Sequence, residues 1–354
     1  MDAKIFLPSD IQISSIVDYL LKGNLVAIPT ETVYGLAANA SDDKAIDKIF
    51  QLKNRPKNHP LIVHIAPPKL NESAETFWEC SLSNWSNDVP PEAIVLAKKF
   101  WPGPLTMILK KSKNVSEFIT GGQSTVAIRV PNHAWTIKIL QEFPQGLVAP
   151  SANRFGHISP TTAQHVYDEF HSLESNIEMM ILDGGQCEVG IESTIVDLSR
   201  LDQLGPVILR PGMILEKEIC ECLGLNKLGE RDGAIRYSGA HLGHYAPSTQ
   251  LVIKNTKELS SDDFMQERIC VVTFLDIEQL KQQWPNKLVD WITIPLAPEL
   301  LAKRMYQLLR ELDKKNYKKI IFDQIPNQPQ WIGIIDRLTR SSYGSGTTSH
   351  SDNH

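Results

Sequence analysis

Residues 25–65 read LVAIPTETVYGLAANASDDKAIDKIFQLKNRPKNHPLIVHI. The stretch reads as a short apolar strand, a Thr-rich loop, a helix, a basic loop and a second strand. Leu25 to Ile28 stop at Pro29, which has no N–H to give a sheet ladder and so puts Thr30, Glu31 and Thr32 in a loop at the strand end. Ser41 stands where a helix cap is needed, Asp42 and Asp43 suit the first turn, and Ala45, Ile46, Ile49 and Phe50 share one helical face. That helix delivers Lys53, Arg55 and Lys57 to a loop before Pro60. Three cations two apart, beside Pro56 and against an apolar strand, form a candidate anion site, with phosphate the expected anion. The competing reading is a solvated helix end that complements the dipole.

Residues 147–162, LVAPSANRFGHISPTT, repeat the arrangement. Leu147 to Ala149 read as a buried strand ended by proline. Ser151, Asn153 and Arg154 follow, Gly156 loosens the turn, and Ser159 is placed to cap a helix beginning at Pro160. Two strand-end loops thus carry complementary polar groups.

The pair KxR (Lys53, Arg55) and SxN (Ser151, Asn153), with PTETVYGL upstream, resembles the Sua5/YrdC/YwlC family of threonylcarbamoyl-AMP synthases. FWPGPLT at 100–106, TVAIRVP at 125–131, PSAN at 150–153, GIESTIVD at 190–197 and LRPG at 209–212 look like family signatures in the family's order, and together they cover about residues 10 to 215. Further on, RYSGAHLGHYAP (236–247) is similar to the linker ending in HYAP in the longer, Sua5-type members. Ser238, His244 and Tyr245 match that linker, whereas its central Lys and Arg are absent here.

The resemblance implies a YrdC-like twisted mixed α/β sheet with helices around a concave cleft, plus a small C-terminal Rossmann-like α/β domain. It implies a catalytic domain over 1–215, a linker over 216–247 that closes over the active site, a C-terminal domain over 248–340 and a disordered tail over 341–354. It also implies a nucleotidyltransferase that makes threonylcarbamoyl-AMP and pyrophosphate from L-threonine, bicarbonate and ATP, for modification of adenosine 37 of tRNA. Carried over by matching positions, Lys53, Arg55, Ser151 and Asn153 are catalytic. Arg55, His59, Thr125, Ser151, Ser159, Arg210, His244 and Tyr245 bind ATP, with His59 standing where many members have asparagine. Thr32, His64, Arg129 and Ser193 bind L-threonine. Mg²⁺ arrives with ATP, and no tightly bound cofactor or protein-held metal is expected. The expected partners are ATP, L-threonine, bicarbonate and the downstream threonylcarbamoyl-transferase machinery, with at most a weak contact to tRNA. An RNA-binding YrdC-like module without synthase activity is the alternative, and Lys98, Lys99, Lys110, Lys111 and Lys113 are its candidate patch. Hydrogenase-maturation proteins, which contain a related domain, carry acylphosphatase and zinc-finger segments that have no counterpart here.

Composition agrees with a globular protein. At 354 residues and 42% hydrophobic content, a prior of about 150 residues per domain suggests two domains. A net charge of −5 argues against holding nucleic acid by bulk electrostatics. The five cysteines, Cys80, Cys187, Cys220, Cys222 and Cys270, are scattered without zinc spacing and read as reduced thiols in a cytoplasm. The start MDAKIFLPSD is too polar for a signal peptide, and no apolar run approaches the roughly 18 residues of a membrane span.

From Ser9 as a cap, Ile13, Ile16, Val17, Leu20 and Leu21 predict a helix ended by Gly23. Residues 67–91 read as a surface excursion with one helical turn, Trp78 and Trp85 being packing anchors. A helix over 92–101 and a strand over 105–109 follow. In TVAIRV, Val126, Ile128 and Val130 take one face while Thr125, Ala127 and Arg129 take the other. A buried arginine there needs a partner, and an edge-strand position is the competing reading. Asp183, Glu192 and Asp197 read as strand-end acids rather than metal ligands, His59 with His64 as structural, and Ser151 as no hydrolase nucleophile because it lacks a GxSxG setting. After a glycine-rich linker the pattern restarts with strands at 250–253, 269–274, 291–295 and 319–322 and helices at 298–312 and about 332–340. This predicts a parallel sheet with no GxGxxG loop.

Overall fold

The computed structural model describes residues 3–9, 11–69, 73–143, 145–264, 267–285 and 288–346. They fall into two compact units, 1–155 with 159–240 and 156–158 with 241–354. The first is built on a ten-stranded mixed sheet: β1 (Ala3–Phe6), β2 (Leu25–Ile28), β3 (Gly35–Asn39), β4 (Ile62–His64), β5 (Leu105–Lys110), β6 (Thr125–Arg129), β7 (Leu147–Val148), β8 (Met179–Leu182), β9 (Thr194–Asp197) and β10 (Val207–Arg210). Their order across the sheet is β1-β8-β2-β3-β7-β4-β6-β5-β9-β10.

The apolar run of β2 follows from its central place. Leu25 and Ala27 enter one core, with Ile46, Ile49 and Phe50 of the helix Asp43–Lys53. Val26 and Ile28 enter another, under the helices Ile13–Leu21 and Ala134–Glu142. Both faces are therefore covered, so the strand has no polar alternation. All four side chains are fully buried, and each Leu, Val or Ile so buried contributes about 1.5–3 kcal/mol. In β6 the alternation is plain: Val126, Ile128 and Val130 join the larger core, and Ala127 packs with a separate cluster.

Several sequence expectations are corrected. GLAAN, read as part of a loop, is β3, pairing antiparallel with β2 and β7. The helix Asp43–Lys53 is capped by Asp42, whose side chain accepts from the amides of Lys44 and Ala45, and not by Ser41. Gln12, not Ser9, precedes the first helix. Within the 67–91 excursion, Ala74–Ser83 form ten residues of helix rather than one turn, and Trp78 packs edge-on against Trp101 at 5.3 Å. Ser159 caps nothing: the next helix is Ala163–Phe170, and Thr162 accepts from His165 N. Proline at 160 does not start the helix; its cap is Thr162, in an extended backbone conformation. Glu216–Leu223, read as linker from composition, is helical, with Ile219 and Cys220 in the core.

The second unit holds β11 (Gln250–Lys254), β12 (Ile269–Thr273), β13 (Val289–Thr293) and β14 (Lys319–Asp323), in the order β11-β14-β12-β13. All three pairings are parallel, as the strand and helix alternation predicts. β13 begins two residues before the expected start, and the helix Ile277–Gln283 was not foreseen. The long helix Pro298–Asp313 buries Leu301, Met305, Tyr306, Leu308 and Leu312, and a last helix spans Ile332–Gly344. The expected disordered tail is thus helical over its first four residues, and 347–354 lie outside the described residues. Among the described residues no helix is long and apolar enough to cross a membrane.

Candidate active site

The sheet aligns one polar row. Thr106 pairs with Arg129 across β5 and β6, and His64 pairs with Arg129 across β4 and β6, so all three side chains share a face. Arg129 is 4% exposed, and its Nη2 donates to Thr32 Oγ1 at 2.8 Å and lies 2.8 Å from Glu31 Oε1. The edge-strand reading of Arg129 fails, since β6 is flanked by β4 and β5 and the guanidinium is paired. Thr106 Oγ1 and Ser193 Oγ are 2.8 Å apart, and Arg210 Nη2 donates to Ser193 Oγ at 3.0 Å. Of the four expected threonine ligands, Thr32 and Arg129 share one hydrogen-bonded group, Ser193 belongs to a second with Thr106 and Arg210, and His64 lies beside Arg129 in the sheet.

His64 is fully buried. Desolvation first, and the Arg129 charge second, push its pKa down to about 3. Its Nδ1 lies 3.2 Å from the Ile62 carbonyl, an arrangement that places the hydrogen on Nδ1 and leaves Nε2 as the acceptor. The ring is neutral at neutral pH, and His59 is not its partner: His59 stands edge-on to Phe155 at 5.0 Å.

The second group surrounds Lys53. Nζ donates to the Ser151 carbonyl at 2.5 Å and to the Asn153 carbonyl, and the Phe155 amide returns a bond to Lys53 O at 2.8 Å. Burial, and then the neighbouring Arg55, pull the Lys53 ammonium well below its usual pKa, with Glu169 opposing. Arg55 Nη2 donates to Pro60 O at 2.8 Å, and its guanidinium sits 5.8 Å from the Phe155 ring centre. Lys57 does not belong to this group. It is exposed, 2.6 Å from Asp47 and over the Phe118 ring at 5.4 Å.

Loop contacts join the two groups. Gly35 bridges Ser151, Ala152 N donates to Tyr34 O, and Tyr34 N donates to Pro160 O. Ser159 Oγ donates to Glu192 Oε1 at 2.5 Å, next to Ser193. The turn at Asp183–Gly185 is held by Tyr34, whose hydroxyl donates to Gly185 O at 2.7 Å and accepts from Gly184 N. Gly184 leaves room for this approach: a Cβ there would come within 2.5 Å of Pro29 and of His133.

The remaining expected ligands are placed as follows. Thr125 is half-buried at the start of β6, on the Arg129 face. Arg210 also donates from Nε to Ser193 O and from Nη1 to Ser238 O, and Arg236 binds the carbonyls of Asn58 and Gly121. His244 and Tyr245 belong to the second unit, where their rings are 4.1 Å apart and Tyr245 packs against Tyr306. Of the lysines proposed as a basic patch, Lys98 pairs with Glu75 and Lys110 with Asp88. Lys111 and Lys113 line an open recess of about 1300 Å³ together with Asp42 and Asp43. That recess contains none of the site residues, and its charges are mixed. Asp197 accepts from Ser199 and Arg200, and Asp183 from Gly185 N, as turn-forming acids do. Among the described residues no three His, Cys, Asp or Glu side chains group to hold a metal.

Sequence reasoning assigned no role to Glu31, Thr106 or Phe155, and read Glu192 only as a strand-end acid. Thr106 could have been found: it is the lone hydroxyl within the apolar strand LTMIL.

The fold and these two groups define a YrdC-like α/β protein with a buried cation pair beside a small polar pocket. Residues 18–212 match the Sua5/YciO/YrdC family, described as "Telomere recombination", and residues 214–342 match "Threonylcarbamoyl-AMP synthase, C-terminal domain". The chain belongs to the Sua5/YciO/YrdC family. It is 34% identical over 338 residues to the threonylcarbamoyl-AMP synthase of Pyrococcus abyssi, covering 92% of each chain. It is 34% identical over 347 residues to that of Bacillus subtilis, covering 95% of this chain and 94% of the relative. The crystal structure of P. abyssi Sua5 complexed with L-threonine superposes with a TM-score of 0.80 at 30% identity, covering 98% of this chain and 99% of that one.

Proposed function

We propose that the chain is an L-threonylcarbamoyladenylate synthase, a nucleotidyltransferase that converts L-threonine, bicarbonate and ATP into threonylcarbamoyl-AMP and pyrophosphate in the cytoplasm. The observation that carries the reading is the buried Arg129, bonded to Thr32 and ranked with His64 and Thr106, beside the Lys53 group. Arg129 Nε has no hydrogen-bond partner among the described residues, as a donor reserved for a carboxylate would.

In this reading the threonine carboxylate meets Arg129, and Ser193 and the neutral His64 take polar groups of the same amino acid. The threonine amine adds to CO₂ from bicarbonate and loses a proton, and a carbamate oxygen attacks the α-phosphorus of ATP with pyrophosphate leaving. Lys53 and Arg55 supply fixed positive charge for the phosphoryl oxygens, and Ser151 and Asn153 position them. Mg²⁺ comes as part of the nucleotide substrate. No covalent enzyme intermediate is required, so catalysis rests on positioning and electrostatics. The product passes to a transferase acting on tRNA.

The test is pyrophosphate release from MgATP with L-threonine and bicarbonate omitted in turn. Release that requires both, with L-serine a poor substitute, is the expected result. Release that requires neither would replace this reading with a nucleotide hydrolase, and salt-dependent RNA binding without turnover would replace it with the RNA-binding module.

A further inference from the structure

Glu31 is a buried carboxylate with a half-used head group. Its side chain is 7% exposed, and Oε2 accepts from Asn132 N at 2.9 Å. Oε1 lies 2.8 Å from Arg129 Nη2, yet no aligned hydrogen bond reaches it. Arg129 Nε is likewise buried without a hydrogen-bond partner among the described residues. One unfilled anionic acceptor and one unfilled cationic donor therefore sit on a single ion pair. The Glu31 main chain is also fixed, because its carbonyl accepts from Val189 N at 2.7 Å.

Burial lowers His64 and His133 and raises the Cys187 thiol, which Glu31 raises further. The Glu31–Arg129 pair is neutral in itself, with its two charges 2.8 Å apart and held in place. A buried charge without a counter-charge is costly, by several kcal/mol in a low-dielectric site. A carboxylate ligand alone would leave the site with one uncompensated negative charge. A zwitterion leaves it neutral and fills both open positions.

We infer that Glu31 is a specificity-determining residue: with Arg129 it makes a neutral ion pair that admits an α-amino acid zwitterion and rejects the same carboxylate without its ammonium group. The ammonium group donates to Glu31 Oε1 while the carboxylate accepts from Arg129 Nε. This rests on the amino-acid pocket proposed above.

The experiment is calorimetric titration of the full chain with L-threonine and with 2,3-dihydroxybutanoate of the same stereochemistry, which differs by the ammonium group. In the wild type, threonine binds at least tenfold more tightly. In Glu31→Gln the two constants move in opposite directions, threonine weakening about tenfold and the ammonium-free acid tightening, while ATP affinity holds. Glu31→Asp, which keeps the charge, keeps the preference for threonine. Parallel weakening of both ligands in Glu31→Gln overturns the inference while leaving the amino-acid pocket standing. Absence of any threonine binding by the wild type overturns both.

Discussion

Lys53 Nζ donates to the main-chain carbonyl of Ser151 at 2.5 Å, across 98 residues of sequence. The two strand-end loops are thereby tied through a cation that is almost fully buried, 1% exposed. Burial, and then the neighbouring Arg55, act against its charge, and Glu169 acts for it.

Lys53→Ala and Arg55→Ala are each expected to cut pyrophosphate release by more than about a hundredfold without unfolding the chain. Lys53→Ala costs about 1–3 kcal/mol because two buried carbonyls lose their donor. Near-normal turnover in either alanine variant would remove both residues from the site.

The sign of the pH effect at His64 follows from its depressed pKa. The unfolded chain binds a proton below about 6.5, and the folded chain does so only near 3, so stability present at neutral pH is lost as pH falls through that window. At pH 5 the loss amounts to about 2 kcal/mol, from 1.5 pH units below the unfolded value. Urea midpoints at pH 7.5 and 5 should therefore separate more in the wild type than in His64→Gln. Equal separation would mean that His64 is not held neutral.

Ser159 and Thr162 divide roles that the sequence merges. Thr162→Ala removes a helix cap and costs about 1 kcal/mol, independently of Glu192. Ser159→Ala leaves the buried Glu192 carboxylate without that donor, and its cost is coupled to Glu192 by about 1–2 kcal/mol. A double-mutant cycle of Ser159→Ala with Glu192→Gln, followed by urea unfolding, checks this. Additive costs would show that the 2.5 Å contact contributes nothing.

Much of the first unit is legible because its signals are local. Val126, Ile128 and Val130 alternate with Arg129 over consecutive residues, and proline punctuates both strands that lead to the site. GLAAN was hidden because glycine and alanine carry little strand propensity: they form β3 between β2 and β7, and a Cβ on Gly35 would come 3.1 Å from Ala149 Cβ. The cation cluster was over-read for a similar reason. Spacing places Lys53, Arg55 and Lys57 together, whereas the left-handed turn at Asn54 (φ 48°) and the attraction of Asp47 send Lys57 outward.

The sequence by itself determined the α/β class, the parallel second sheet, the family and the two polar loops, because each rests on runs of neighbouring residues. Only the tertiary structure decided that Arg129, Thr106 and His64 stand in one row, that Glu31 completes the charge of that row, and that Ser159 serves Glu192 and not a helix. Strand order and register bring these groups together across tens of residues, and register depends on which faces of the strands are buried, which no single stretch encodes.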